Sequence, residues 1–115
     1  LGIVSPTGIG IEESWKNVLA GQSGITRVTR FDAAPFASQI AGEVKGFDPS
    51  RYMPAKEARR LDTFIHYGMA AAIEAIGDAG ISANEQNAER IGVVIGSGIG
   101  GLPLIEETHT ALVEG

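Results

Sequence analysis

Cysteine is absent from the 115 residues. A disulfide framework, a thiolate metal site and a cysteine nucleophile are therefore excluded within them. The two histidines, His66 and His109, stand far apart, and neither has a second His or Cys at ligand spacing. No metal site is expected. No stretch reaches the roughly 18 apolar residues that a membrane-spanning helix needs. The opening LGIVSPTG has neither the basic start nor the long apolar core of a signal peptide. It also lacks an initiator methionine and starts in mid-pattern, while TALVEG stops inside a helical pattern, so both ends are expected to be cut.

Positive charge is scarce in one half only. Net charge is −5, which argues against nucleic acid as a partner. Residues 1–60 carry eight Lys or Arg against six acids, and residues 61–115 carry one Arg against eight acids. Arg51, Lys56, Arg59 and Arg60 fall together in RYMPAKEARR. What the chain has in plenty is glycine, with 16 residues separated by long apolar segments. That pattern indicates tight turns and close backbone packing rather than loose coil.

Leu1 to Val4 reads as the end of a strand closed by the turn SPTGIG. In IEESWKNVLAG the apolar positions Ile11, Trp15, Val18 and Leu19 recur at helical spacing. Glu12 and Glu13 suit the first turn of that helix, and Gly21 suits its stop. The stretch from Gln22 to Phe36 reads as loop, anchored into a core by Phe31 and Phe36. QIAGEVKGF alternates Ile40, Gly42 and Val44 with Gln39, Glu43 and Lys45, as a strand with one wet face does. From Pro54 a stripe of Leu61, Ile65, Met69, Ala72, Ile73 and Ile76 predicts one long, closely approached helix ending at Gly80. RIGVVIG reads as a strand covered on both faces, and LIEETHTALV as a helix. The alternation of strands and helices indicates a layered α/β fold.

Residues 93–102 read VVIGSGIGGL. Gly96, Gly98 and Gly101 fit G-x-G-x-x-G, the dinucleotide-binding fingerprint, between a predicted strand and a predicted helix. Pro103 in the first helical turn counts against it, and so does the position of this strand as third in the chain. Ser97 would suit a nucleophile elbow, but Ile95 stands where G-x-S-x-G needs glycine, so a turn serine bonded to its own backbone is the better reading. Glu106, Glu107 and His109 could be drawn as an acid-base group. Adjacent helical residues diverge by about 100°, however, so the two carboxylates would not share one site, and a solvated helix face explains the three more simply. His66 reads as a hydrogen-bonded structural histidine. Lys56, Arg59 and Arg60 at i, i+3 and i+4 share one side of a helix's first turns. A solvated face with Glu57 and Asp62 as neutralisers would explain them. Their concentration in an acidic chain favours a docking patch for an acidic partner.

LGIVSPTGIGIEESWKNVLAGQSGI, FDAAPFASQIAGEVKGFDP, KEARRLDTFIHYGMAAAIEAIGDAGI and RIGVVIGSGIGGLPLIEETHTALVEG together resemble the N-terminal part of the type II β-ketoacyl-acyl-carrier-protein synthases. The resemblance runs in order and spacing through all 115 residues. It implies part of the N-terminal half of a thiolase-like αβαβα fold, a homodimer and a cytoplasmic location. The implied reaction is decarboxylative condensation of fatty acyl and malonyl thioesters with acyl carrier protein as partner and no cofactor. The family's catalytic cysteine and two histidines would lie outside these residues, so the segment alone would be inactive. By the same resemblance, Lys56, Arg59 and Arg60 would dock the acidic carrier protein. Ile99, with Gly98 beside it, would gate the fatty acyl pocket from across the dimer interface. A chain-length-factor paralogue of polyketide pathways and a dinucleotide-binding domain are the alternatives.

Overall fold

Two short hairpins and four helices follow one another along the chain, which a computed structural model describes from residue 1 to residue 115. Strand β1 (Val4–Ser5) turns through Pro6 and Thr7 into β2 (Gly8–Ile9), pairing Val4 with Ile9 and Ser5 with Gly8. Helix α1 (Ile11–Leu19) begins at Gly10, and the Glu13 carboxylate reaches back to accept the Ile9 N–H at 2.8 Å. It stops where the Gln22 N–H bonds the Asn17 carbonyl and the Gly21 N–H bonds that of Val18. This closure needs a left-handed residue, and Gly21 supplies it at φ 66°.

Strand β3 (Ile25–Arg27) pairs antiparallel with β4 (Ile40–Gly42), Thr26 standing opposite Ala41. β3 falls inside the stretch expected to be loop; three residues flanked by Gly24 and polar positions leave too short a pattern to read. Phe31 and Phe36, expected as core anchors, are instead exposed and pack edge to face on each other, their ring centres 5.8 Å apart. Glu43 departs from the wet face assigned to it. It is buried just beyond β4, where its carboxylate holds the backbone of Thr29 and Arg30.

The long helix expected from Pro54 is two helices. α2 (Ala55–Ala58) makes a single turn, and α3 (Thr63–Ala79) starts afresh after Asp62. Asp62 is extended at ψ 157° and its side chain accepts the Thr63 N–H, so its N-cap preference overrides a hydrophobic stripe that would have run through Leu61. α3 ends at Gly80 as the sequence indicates. Its small residues admit close neighbours: Gly2 lies so near Ala71 and Ala75 that a side chain at position 2 would strike their backbone. Helix α4 (Leu102–Glu114) closes the chain.

Residues 91–97 carry no ladder partner within the chain, although Ile91 is extended. The covered strand expected there lacks sheet neighbours among these residues, and Val94 is 98% exposed. Parallel strands form only against other strands and beneath helices, and the two hairpins present are antiparallel and remote in sequence from this segment. Six of 115 residues are buried, so no enclosed core exists. The radius of gyration is 17.3 Å, against about 13 Å for a compact domain of roughly 100 residues.

Candidate functional site

The basic cluster sits on a platform built by aromatic and polar contacts. Phe47 stacks on Tyr52 at 5.7 Å and meets Tyr67 of α3 edge-on at 4.9 Å. The Tyr52 hydroxyl donates to Glu74 at 2.8 Å. Burial first, then that bond and the Glu74 charge, push the Tyr52 phenol above its ordinary range, so it stays a neutral donor. Asp48 caps the short turn Pro49–Arg51 by accepting the Ser50 N–H, and its bonds to Ser50 hold its carboxyl below the usual range. Met53 and Ala58 are buried. His66 Nε2 lies 2.9 Å from the Ala58 carbonyl oxygen, which can only accept, so Nε2 carries the proton. His66 is therefore the structural histidine expected, tying α2 to α3.

On this platform Lys56, Arg59 and Arg60 are all exposed, and none makes an ion pair. They do not share a face of one continuing helix. Lys56 lies in α2, Arg59 is its C-cap, and Arg60 sits in the tight turn that follows. The helix break puts Arg59 at a C-terminus, where a cation is favoured, instead of near an N-terminus, where it is not. Neither Glu57 nor Asp62 neutralises them.

Asp62 is otherwise engaged. One carboxylate oxygen accepts the Thr63 N–H at 2.6 Å and the other the Leu104 N–H, in the first turn of α4, at 3.2 Å. Sequence reading missed this role, because the partners are 42 residues apart. Beside it, a groove of about 570 Å³ opens between α3 and α4, with Phe64, Ile65, Leu104 and Ile105 as apolar lining and Arg60 and His109 among the polar residues. His109 meets no second histidine and takes part in no group able to hold a metal.

In the glycine-rich stretch, the Ser97 hydroxyl oxygen accepts the Gly100 N–H at 3.1 Å, the turn role expected of it. Gly101 lies against Asp62 so closely that a side chain there would collide with the carboxylate, and Gly100 turns at φ 81° beside Phe64. Nothing in the chain comes within 4 Å of a side chain placed at Gly96 or Gly98. Ile99 is 73% exposed and lines neither this groove nor the second one, between Phe64 and Ile95. A dinucleotide finds no cradle here. The helix N-terminus that would hold its pyrophosphate is capped by the Asp62 carboxylate, and Pro103 has no N–H to offer.

Comparison with known proteins is consistent along the whole chain. The family described as "Beta-ketoacyl synthase, N-terminal domain" matches residues 1–114. A protein named 3-oxoacyl-[acyl-carrier-protein] synthase 2 from Vibrio cholerae is 56% identical over 114 residues, 99% of this chain and 28% of that protein. One of the same name from Coxiella burnetii is 48% identical over 98% of this chain and 27% of that protein. Another from Staphylococcus aureus is 44% identical over 99% and 28%. The chain thus spans little more than a quarter of the length of these relatives. Among solved structures, the ishigamide ketosynthase/chain length factor superposes with a TM-score of 0.59 at 36% identity, covering 70% of this chain and 20% of that one.

Proposed function

The chain belongs to the β-ketoacyl synthase family, in its N-terminal domain, and from that premise we propose that it is part of a condensing enzyme that lengthens fatty acyl chains. The enzyme joins an acyl group to malonyl-acyl-carrier protein with loss of carbon dioxide, in the cytoplasm, as a homodimer. Its thiolase-like fold covers the exposed faces of α1, α4 and residues 93–95 with the remainder of the enzyme and the second subunit. The nucleophilic cysteine belongs to that remainder, since these residues contain no cysteine, and on the family reading the histidines that act on the malonyl group lie there with it.

The observation that carries this reading is the basic cluster. Lys56, Arg59 and Arg60 stand exposed and unpaired in a chain of net charge −5. Surface cations left uncompensated in this way suit transient capture of an acidic protein by long-range attraction. The acidic partner here is acyl carrier protein. Ile99, exposed and flanked by the open Gly98, serves as the gate of the acyl pocket in the neighbouring subunit. The test is chemical: the complete protein, given acyl- and malonyl-carrier protein, should release carbon dioxide and form a β-ketoacyl product two carbons longer. Absence of that product would defeat the reading.

A chain-length-factor paralogue is the second reading, favoured by the likeness to the ishigamide ketosynthase/chain length factor. Such a protein would lack the cysteine, so no acyl-enzyme would form.

A further inference from the structure

We infer that Asp62 is a positioning residue for acyl-chain selection, an inference that rests on the reading of Ile99 as the pocket gate. Asp62 stands between the basic cluster and the glycine-rich turn, and its carboxylate serves two helices. One oxygen accepts the Thr63 N–H at 2.6 Å and the other the Leu104 N–H at 3.2 Å. Helix α4 has little else to begin on. Its N-cap, Gly101, has no side chain, and Pro103 fills an early position without an N–H. The Asp62 carboxylate therefore provides the side-chain acceptor and the favourable negative charge for the start of α4.

Ile99 lies between two anchors. The Ser97 hydroxyl, accepting the Gly100 N–H, closes a turn around it, and directly after that turn Gly101 is pressed against Asp62, with no room for a side chain. Ile99 is 73% exposed, so packing within its own chain does not hold it. Its direction follows from the two anchors. A change at Asp62 thus re-aims Ile99.

The test uses the complete synthase. Asp62→Asn keeps an acceptor for Thr63 but turns an amide donor towards the Leu104 N–H. The expected result is a change of about three- to tenfold in the ratio of kcat/KM for long over short acyl primers, the scale of losing one helix cap. Gly101→Ala, which displaces the carboxylate from the opposite side, should shift the same ratio in the same direction. Combining the two should add little, because both break one contact. If Ile99→Phe shifts the primer ratio but neither variant does, the positioning role falls and the gate survives. If Ile99→Phe also leaves the ratio unchanged, the gate falls and takes this inference with it. A uniform loss over all primers in both variants would make Asp62 a purely structural cap and overturn the inference.

Discussion

The carboxylate of Glu43 grips Thr29, taking its backbone N–H at 3.1 and 3.2 Å and its hydroxyl at 2.7 Å. Bonds from Thr29, with smaller help from the Arg30 N–H and charge, hold the Glu43 carboxyl below its ordinary range despite its burial. A carboxyl lowered in the folded state stabilises fully above its unfolded pKa. That contribution fades as the pH falls through the lower folded-state value. In the complete protein, protection of the Thr29 amide, the slowing of its exchange relative to an unstructured amide at the same pH, should therefore fall on acidification through that range, and Glu43→Gln should remove the acid dependence. Protection of Thr29 that follows pH identically in both proteins would contradict this.

The 115 residues expressed alone should associate or melt without a sharp transition. Trp15 is 61% exposed, Leu112 81% and Val94 98%, and only six residues are buried. Apolar surface on this scale marks faces that another body covers. A cooperative melt of a strictly monomeric species, followed by calorimetry and sedimentation, would count against the proposal that the rest of a larger enzyme covers them.

Ile99→Phe in the complete synthase should penalise long acyl primers and spare short ones. Overfilling a packed site costs about 1–3 kcal/mol, so discrimination of roughly tenfold to a hundredfold in kcat/KM is expected. The proposed gate acts across the proposed dimer interface, so the defect should follow the partner subunit in mixed dimers with one inactivated site. A flat chain-length profile would return Gly96 to Gly101 to the role of a packing turn.

Much of this was legible in the sequence where the signal is local. Helix α1, the stop at Gly80, the turn serine Ser97 and the structural His66 follow from caps, periodicity and residue chemistry within a few positions. The family followed from the order of four long motifs, whose match extends over residues 1–114. What escaped was non-local or competitive. The hydrophobic stripe through Leu61 pointed to a continuous helix, whereas Asp62 gains more by capping two. Glu43 looked like a wet strand position because its partners, Thr29 and Arg30, lie on a different segment. RIGVVIG has the composition of a sheet interior, but strand pairing depends on neighbours that these residues do not contain.

The most direct measurement concerns the basic cluster. Lys56, Arg59 and Arg60 should be reversed together to Glu in the complete synthase, with condensation measured on substrates carried by acyl carrier protein and on carrier-free thioesters. Single exposed pairs contribute only about 0.2–1 kcal/mol, but three reversals act in concert on encounter. A loss of about tenfold or more in kcat/KM is expected for carrier-bound substrates at low salt, shrinking as ionic strength rises. Carrier-free substrates should react nearly as before. Equal loss on both substrate forms, or a loss indifferent to salt, would contradict the assignment of this face as the carrier-protein dock.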